Sequence, residues 1–425
     1  MKKLNTQEDW VKRAREILPG GGFGNFDPNL IISHGKGSHV WDEDGNKYID
    51  YLIGSGPMIL GHGHPEVLEE VFRQLSKGMT FFANNSKGIE LAEIICQSVK
   101  CCEQIRYVTS GGEADMYAIR LARAYTGKNK ILKFEGGYHG MSSEAQMSLA
   151  PTTEVNFPLA VPDSGGIPPE VANQILIAPF NDLKAVESIF NENLDIAAII
   201  TEPLQRIIPP QPGFLEGLRM LCDKYNALLI FDEIVTGFRL ALGGAQERYG
   251  VIPDICTLGK VIGGGFPLAS IGANKEIMKC FDKTIVEQDK WLMQLGTLSG
   301  NPLAAVAGLK TIEILSRPTS FEKLNVIGLD LQKLQSDLLS RSGIKHKIIG
   351  EETIFEIMFS DLECTNYRNT KHSDKKIASE YNRSLRKEGI LKASSKFYPS
   401  LAITDQDLSF TKNAVENTVR KLFDN

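Results

Sequence analysis

Four short motifs contain the residue types that could carry out chemistry on a small molecule, and they follow one another in a fixed order. They are SGGE (110–113), FDEI (231–234), LGKVIGGG (258–265) and GTLSGNP (296–302). Each motif is weak alone, because glycine pairs, acidic pairs and lysines occur in many turns that have no catalytic role. Together they are specific, and they indicate a ligand site that contains an amine, a carboxylate and glycine-rich turns.

The amine and the carboxylate are Lys260 and Asp232. Lys260 precedes a run of three glycines and follows an apolar run. An amine that forms Schiff bases must be positioned and kept partly unprotonated, and a lysine at the edge of a ligand crevice suits this role. Asp232 ends the apolar run ALLIF, and a carboxylate at the carboxyl end of a parallel strand points into the crevice where ligands bind. Such an acid could keep a ring nitrogen protonated, although a turn or helix-cap role for Asp232 and Glu233 stays open.

The glycine-rich turns could bind an anion. Gly111 and Gly112 lie between an apolar run and a helical pattern, where backbone N–H groups and the helix N-terminus can hold a phosphate. Thr297, in GTLSGNP, supplies a hydroxyl and could complete the same site. The alternatives are an ordinary turn at the glycines and a helix-capping turn around Thr297.

The segments around these motifs alternate between short apolar runs and longer stretches of helical period. The runs predict strands at 105–110, 130–137, 195–203, 226–234 and 267–275, and the helical stretches lie at 88–99, 114–127 and 214–225. Alternation of this kind predicts βαβ units and a mostly parallel sheet that is buried on both faces. The fold class is therefore α/β, and Gly127 is expected to end the helix that follows SGGE.

The length and the composition limit the possible classes of protein. A chain of 425 residues is long enough for a large domain and a smaller one, and we place them at 61–310 for the large domain, with 1–60 and 311–425 forming the small one. The net charge of −5 and the absence of a basic block argue against a nucleic-acid partner. No apolar run approaches the length that spans a bilayer, and the N-terminus has no secretory pattern, so we expect a cytoplasmic protein. The seven cysteines have no metal-binding spacing, and we expect reduced thiols and no metal.

The motifs also resemble those of a known family. The order SGGEA, FEGGYHG, TEP, FDEIVTGFR, LGKVIGGG, GTLSGNP is similar to that of the class III pyridoxal-phosphate-dependent transaminases, within the branch that contains glutamate-1-semialdehyde 2,1-aminomutase. The resemblance runs from about residue 10 to 420. It implies pyridoxal 5'-phosphate as cofactor and the type I fold of such transferases, a large domain with a mostly parallel sheet and a smaller α+β domain built from both termini.

The resemblance implies roles for the residues that would surround the cofactor ring. Lys260 would carry the cofactor as a Schiff base and would later move the proton, and Asp232 would pair with the pyridine nitrogen. Tyr138 would stack on one face of the ring and Ile234 would pack on the other. His139 is a tempting catalytic base, but a structural role is the better interpretation, because the lysine already does that work.

The resemblance also implies how the cofactor phosphate would be held. Gly111 and Gly112 would bind it from one chain, and Thr297 would reach it from the neighbouring subunit. The protein would then be a homodimer with shared active sites. Glu202 would lie near the cofactor, where it manages an arginine or the ring hydroxyl.

Several positions depart from the aminomutase pattern, and all of them would face the substrate. The stretch PGGGFGNFDPNL lacks the arginine expected there, Ser55 and Gly56 stand where a tryptophan is expected, and Tyr398 replaces an acidic residue. Arg206 lies in a shortened loop after TEP, where its guanidinium could pair with a substrate carboxylate or with surface acids. Ser55, Arg206 and Tyr398 are therefore the candidate substrate residues.

These departures predict a pocket that is wider and less cationic than that of an aminomutase. We therefore expect an aminotransferase that moves an amino group from an amino-acid donor to an aldehyde or ketone acceptor, with an amino sugar, an ω-amino acid or a biosynthetic intermediate as examples. The alternatives are the aminomutase itself, which needs no second substrate, and a non-catalytic protein that binds pyridoxal phosphate. The retained Lys260 and Asp232 argue against the last alternative.

Overall fold

The computed structural model describes residues 6–423, so the first five residues of the N-terminal segment, for which the sequence analysis found no secretory pattern, lie outside this range. The strands are β1 (Ile32–Lys36), β2 (His39–Asp42), β3 (Lys47–Asp50), β4 (Gln104–Val108), β5 (Lys130–Phe134), β6 (Ile175–Ala178), β7 (Ile196–Thr201), β8 (Leu228–Glu233), β9 (Ile255–Leu258), β10 (Ala269–Ala273), β11 (Lys347–Glu351), β12 (Ile354–Met358) and β13 (Ile390–Leu391).

The α-helices of the same range surround these strands. They are α1 (Gln7–Ile17), α2 (Pro65–Leu75), α3 (Ser86–Ser98), α4 (Gly111–Thr126), α5 (Leu183–Glu192), α6 (Phe214–Tyr225), α7 (Gly244–Tyr249), α8 (Lys275–Met278), α9 (Pro302–Leu315), α10 (Ser320–Arg341), α11 (Lys375–Lys387) and α12 (Asp405–Phe423).

The centre of the molecule is a seven-stranded sheet in the order β4-β10-β9-β8-β7-β5-β6. The pairs from β9 to β6 are all parallel, whereas β10 runs antiparallel to both of its neighbours. The five strands predicted from apolar runs are present as β4, β5, β7, β8 and β10. The α/β class and the mostly parallel sheet are thus confirmed.

Both faces of this sheet are buried, which explains why its strands read as continuous apolar runs. Leu229 and Phe231 of β8 pack into one core cluster, while Ile230 packs into the cluster on the opposite face together with α4. Successive side chains of a strand point to opposite faces. Asp232 therefore continues the row of Ile230, on the α4 side, and Glu233 continues the row of Phe231.

The helix predicted after SGGE is α4, and both of its ends have local causes. The Ser110 side chain accepts a hydrogen bond from the Glu113 backbone N–H at the N-terminus, and Gly127 closes the C-terminus at φ 69°. A left-handed residue at that position favours glycine because other side chains are strained there. The prediction that Gly127 ends this helix is confirmed.

A second, four-stranded sheet joins the two ends of the chain in the order β1-β2-β3-β13. β13 pairs with β3 in parallel, and Ile49 and Tyr51 pack in one core with Leu331, Phe355 and Tyr381. The smaller unit is therefore built from both chain ends. The exact bounds 1–60, 61–310 and 311–425 stay a prediction.

Two further properties concern the length of the helices and the state of the cysteines. Among residues 6–423, no helix has both the length and the apolar character needed to cross a membrane. All seven cysteines carry free thiols. Cys101, Cys102 and Cys256 lie together, with the Sγ atoms of Cys102 and Cys256 3.3 Å apart, a grouping that their spacing in the sequence does not indicate.

Candidate active site

Lys260 lies directly after β9, at the start of a short 3₁₀ turn. Its Nζ atom donates a hydrogen bond of 2.7 Å to the Ser55 carbonyl oxygen. Burial lowers the pKa of the Lys260 amine; Lys396 and Arg239 act in the same direction, and Tyr398 and Asp232 partly oppose them. A lowered pKa increases the fraction of neutral, nucleophilic amine at a given pH.

Asp232 ends β8 on the side of the sheet that faces α4, and its side chain is 4% exposed. Its Oδ2 atom lies 2.8 Å from His139 Nδ1, and its Oδ1 atom accepts the Ile234 backbone N–H at 3.1 Å. Glu233 points the other way and accepts hydrogen bonds from Ala245 N and Gln246 Nε2. Only the first acid of the DE pair therefore faces the site.

A second buried carboxyl group lies beside Asp232, and the sequence analysis did not identify it. Asp115 Oδ1 accepts a hydrogen bond of 2.7 Å from Thr257 Oγ1, and the same hydroxyl lies 3.5 Å from Asp232 Oδ1. Burial raises the pKa of Asp115 well above its usual value, and the neighbouring Asp232 acts in the same direction. Two adjacent buried carboxyl groups do not both ionise easily, and burial favours the protonated form of Asp115. Its position on the buried face of α4, one turn before Ala118, is the signal that could have revealed it.

Glycines let two backbone segments and the Ile234 side chain approach one another next to these acids. A Cβ atom on Gly112 would lie 3.0 Å from Gly140 Cα, and a Cβ on Gly140, at φ 85°, would lie 2.3 Å from Gly112 Cα. Gly111 is packed against Ile234, whose Cγ2 atom would be 2.8 Å from an added Cβ. Gly111 and Gly112 are the first two residues of α4, so their N–H groups have no partner within the helix and can bind an anion.

Glu202 organises the loop on the other side of the site. Its Oε2 atom accepts the Tyr138 backbone N–H at 2.9 Å, and its Oε1 atom accepts the Arg206 backbone N–H at 3.3 Å. The Arg206 guanidinium carbon lies 5.3 Å from the centre of the Tyr138 ring. Glu202 thus positions both an aromatic ring and an arginine, although through their backbone groups.

The loop that contacts Lys260 has an unusual backbone. Ile53, Gly54, Ser55 and Gly56 all have positive φ angles, of 41°, 65°, 65° and 114°. Such angles are strained for residues other than glycine and are found mostly at functional sites. The strained loop places the Ser55 carbonyl against the lysine amine.

Tyr398 closes the site from the small unit, and two basic residues that the sequence analysis missed lie beside it. A Cβ atom on Gly56 would lie 3.3 Å from the Tyr398 ring. The guanidinium of Arg239, fully buried, lies 5.3 Å from the ring centre and donates to the carbonyls of Gly56, Thr353 and Pro399. The Lys396 amine lies 6.0 Å from the same ring centre. The expectation of a less cationic pocket took neither Arg239 nor Lys396 into account.

Thr297 lies elsewhere on the surface of the chain. Its side chain is exposed, and its carbonyl accepts a hydrogen bond from Thr80 Oγ1 at 3.4 Å. A cavity of about 1110 Å³ opens next to this loop, and its lining includes Ser299 and Gly300 but not Lys260. This cavity is therefore distinct from the place where Lys260 and Asp232 converge.

The fold and the site define an α/β enzyme in which a lysine amine of lowered pKa, a buried carboxylate and a helix N-terminus converge. These groups fit a cofactor with an aldehyde, a basic ring nitrogen and a phosphate, because each supplies the complementary chemistry. Residues 24–419 match the family model of the class-III aminotransferases. The chain belongs to this family, so it is an enzyme whose cofactor is pyridoxal 5'-phosphate.

Individual relatives agree with this assignment but carry different activities in their names. A glutamate-1-semialdehyde 2,1-aminomutase 2 from Brevibacillus brevis is 41% identical over 424 residues, covering 96% of this chain and 97% of the relative. The structure of an omega-transaminase from Sphaerobacter thermophilus superposes with a TM-score of 0.92 at 30% identity, covering 99% and 98% of the two chains. A beta-phenylalanine aminotransferase from Variovorax paradoxus gives a TM-score of 0.84 at 26% identity, with 98% and 94% covered. The predicted fold and cofactor are confirmed, whereas these names do not separate a transaminase from an aminomutase.

Proposed function

We propose that the protein is an aminotransferase, which moves an amino group from an amino-acid donor to an aldehyde or ketone acceptor. The observation that carries this proposal is the rebuilt substrate side of Lys260. The strained Ser55–Gly56 loop and the buried Tyr398 ring occupy positions at which the aminomutase pattern has a tryptophan and an acidic residue. The cofactor side, with Lys260 and Asp232, is intact.

Each residue of the cofactor side has a role in this proposal. Bound pyridoxal phosphate supplies an aldehyde that condenses with amines and a ring that accepts electrons. Lys260 holds the cofactor between reactions and then moves the proton at the substrate carbon, for which its lowered pKa suits it. Asp232 keeps the ring nitrogen protonated, and His139 orients Asp232. Tyr138 and Ile234 confine the ring from its two sides.

The second candidate is the aminomutase, and the 41% identical Brevibacillus relative favours it. An aminomutase returns the amino group to the same carbon skeleton, so it needs no separate donor or acceptor. A protein that binds pyridoxal phosphate without catalysis is the third. Glutamate 1-semialdehyde, offered without any other amine, separates the first two candidates.

The test follows the visible absorption of the holoenzyme during each half-reaction. We expect an amino donor such as L-glutamate or L-alanine to bleach the visible absorption band of the bound cofactor and to release one keto acid per site. A keto acid or aldehyde added after removal of the donor should restore the band. Efficient isomerisation of glutamate 1-semialdehyde, with no keto acid formed from any donor, would contradict the transaminase proposal. A band that no amine changes would instead indicate a non-catalytic protein.

We further propose that the enzyme is a homodimer whose subunits share their active sites. The support is an apolar surface near the large cavity, where Met79, Phe81, Phe82, Met293 and Leu295 are exposed. Exposed apolar surface of this extent is typical of a protein interface. Thr297 lies in the same region, and its hydroxyl would reach the cofactor phosphate of the partner.

We expect sedimentation to give about twice the chain mass of 46.9 kDa. We expect Thr297→Ala to weaken cofactor binding roughly 10-fold, the loss of one hydrogen bond to a charged group. Thr152→Ala, at another exposed threonine, is the control and should bind normally.

Mixed dimers show which of the two subunits supplies Thr297 to a given cofactor site. In a dimer of one Thr297→Ala chain and one Lys260→Ala chain, the site that retains Lys260 receives Thr297 from its partner. That site should bind the cofactor normally if Thr297 acts across the interface. Normal binding would be absent if Thr297 acts within its own chain, and a monomeric protein would contradict the proposal altogether.

A further inference from the structure

Arg206 is held in a backbone conformation that its side chain does not favour. The backbone N–H groups and carbonyls of Gln205 and Ile208 form hydrogen bonds of 3.0 Å and 2.8 Å with each other, which places Arg206 and Ile207 at the tip of a tight turn. The φ angle of Arg206 is 62°, a value at which glycine is ordinarily preferred. Because a residue other than glycine is strained at this angle, the position is a candidate for a function of the arginine side chain.

Neither Arg206 nor the nearby Lys396 forms an ion pair with an acidic residue of the described range 6–423. The nearby Glu202 is already engaged, because its two oxygens accept the backbone N–H groups of Tyr138 and Arg206. The two cations instead lie against aromatic rings, Arg206 against Tyr138 and Lys396 against Tyr398. Both side chains keep their hydrogen-bond donors available.

Lys396 lies beside the reactive lysine, since a Cβ atom on Gly56 would lie 3.3 Å from the Tyr398 ring and 3.5 Å from Lys260 Cδ. Desolvation lowers the pKa of Lys396 to about 8, Glu202 and Asp232 oppose this, and Arg206 lowers it further. Lys396 in turn contributes to the lowered pKa of Lys260. Arg206 is exposed and Lys396 is half-buried, and neither has a carboxylate partner among the residues that the structure describes, so an anion that binds between them is attracted by both charges.

We propose that Arg206 and Lys396 form a subsite for a carboxylate of the substrate, so that the enzyme acts on amines and carbonyl compounds that carry a carboxylate apart from the reacting group. The inference rests on the proposed function, since it names the class of substrate for the same site. Arg206, whose guanidinium group lies over the Tyr138 ring, binds the carboxylate through two parallel N–H donors. Lys396 contributes a second charge from the side of Tyr398.

The test compares pairs of amines that differ in the carboxylate alone. We expect the wild-type holoenzyme to react with 4-aminobutyrate faster than with n-butylamine, and with β-alanine faster than with n-propylamine. Arg206→Gln should reduce this preference roughly 10- to 100-fold, the effect of losing a charged hydrogen-bond pair. Lys396→Gln should reduce the preference for the carboxylate-bearing amine about 10-fold. Arg206→Lys should give a preference between those of the wild type and Arg206→Gln, because it keeps the positive charge but loses the planar guanidinium group that binds a carboxylate through two hydrogen bonds.

Two controls separate recognition from folding. Arg383→Gln, on the exposed surface of α11, removes a positive charge away from the site and should leave the preference unchanged. Arg206→Gly suits the positive φ angle, so it should melt at or above the temperature of Arg206→Ala, yet it should lose the preference to the same extent. Equal preference in the wild type and Arg206→Gln would overturn the proposal.

The binding of glutarate to the holoenzyme, measured by calorimetry, tests the subsite without turnover. We expect Arg206→Gln to bind glutarate roughly 10- to 100-fold more weakly than the wild type. Glutarate binding should also weaken as the pH rises and Lys396 loses its proton. The charged and titratable groups that face Lys396 and influence this titration are Arg206, Glu202, Asp232, Tyr398 and Lys260. Equal glutarate affinity in both proteins would overturn the subsite. If no amine changes the cofactor spectrum, the proposed function fails, and glutarate binding still decides whether the subsite exists.

Discussion

Replacing Lys260 by alanine is expected to reduce kcat by at least about 10⁴-fold, because both the covalent attachment of the cofactor and the proton transfer are lost. Among the described residues around Asp232, Lys260 combines an amine of lowered pKa with a contact to the strained loop at Ser55. The neighbouring Lys396 and Arg206 cannot take over its role, since they lie beside the Tyr398 and Tyr138 rings instead. Steady-state kinetics with the best donor found in the half-reaction screen provides the measurement.

Two comparisons make the Lys260 result specific. Lys260→Arg keeps a positive charge but is not a nucleophile at neutral pH, so it should be as inactive as Lys260→Ala. Both variants should keep the wild-type melting temperature to within a few degrees, since the lysine makes one hydrogen bond and sits among other cations. Borohydride treatment of the wild type should fix the cofactor on the peptide that contains Lys260. A label on any other lysine, or residual activity above about 1% in Lys260→Ala, would contradict the assignment.

The second large effect is expected for Asp232→Asn, which should reduce kcat/KM roughly 10²- to 10³-fold. A neutral amide cannot hold a proton on the ring nitrogen, and breaking a buried charge pair costs about 3–5 kcal/mol. His139 would also lose its charged partner, because its Nδ1 atom lies 2.8 Å from Asp232 Oδ2. The measurement is the rate of the first half-reaction, in which the electron demand on the ring is greatest.

Asp115→Asn is the matched control for this change. It replaces a carboxyl group by an amide of the same shape beside Asp232, at a position that also contacts Thr257. Because burial raises the pKa of Asp115 well above its usual value and so favours its protonated form, we expect the amide to change the rate by less than about 3-fold. Should Asp115→Asn be as impaired as Asp232→Asn, the negative charge would belong to Asp115, and the roles of the two acids would have to be exchanged.

Much of the architecture could be predicted from local features of the sequence. The apolar runs that became β4, β5, β7, β8 and β10 are visible because a strand buried on both faces must be apolar throughout. The helix after SGGE and its end at Gly127 follow from helical periodicity and from the left-handed angle that glycine tolerates. Lys260 and Asp232 stand out for the same reason, since each follows a strand whose carboxyl end faces the ligand crevice.

Other features were decided by contacts between distant parts of the chain. Asp115 meets Asp232 because α4 packs across β8 and β9, and Lys396 approaches Lys260 because the C-terminal segment returns to complete the sheet at β3. Arg206 is aimed at Tyr138 by a turn that its own residue type does not favour. A helix or strand has a regular backbone geometry, so its buried side chains recur at a fixed spacing that is visible in the sequence. The pairing of two side chains across a core depends instead on how whole elements pack. The sequence by itself thus predicted the family, the sheet and the pairing of Lys260 with Asp232 in one site, and only the tertiary structure showed that Asp115 lies beside Asp232 and that Arg239 and Lys396 lie beside Tyr398.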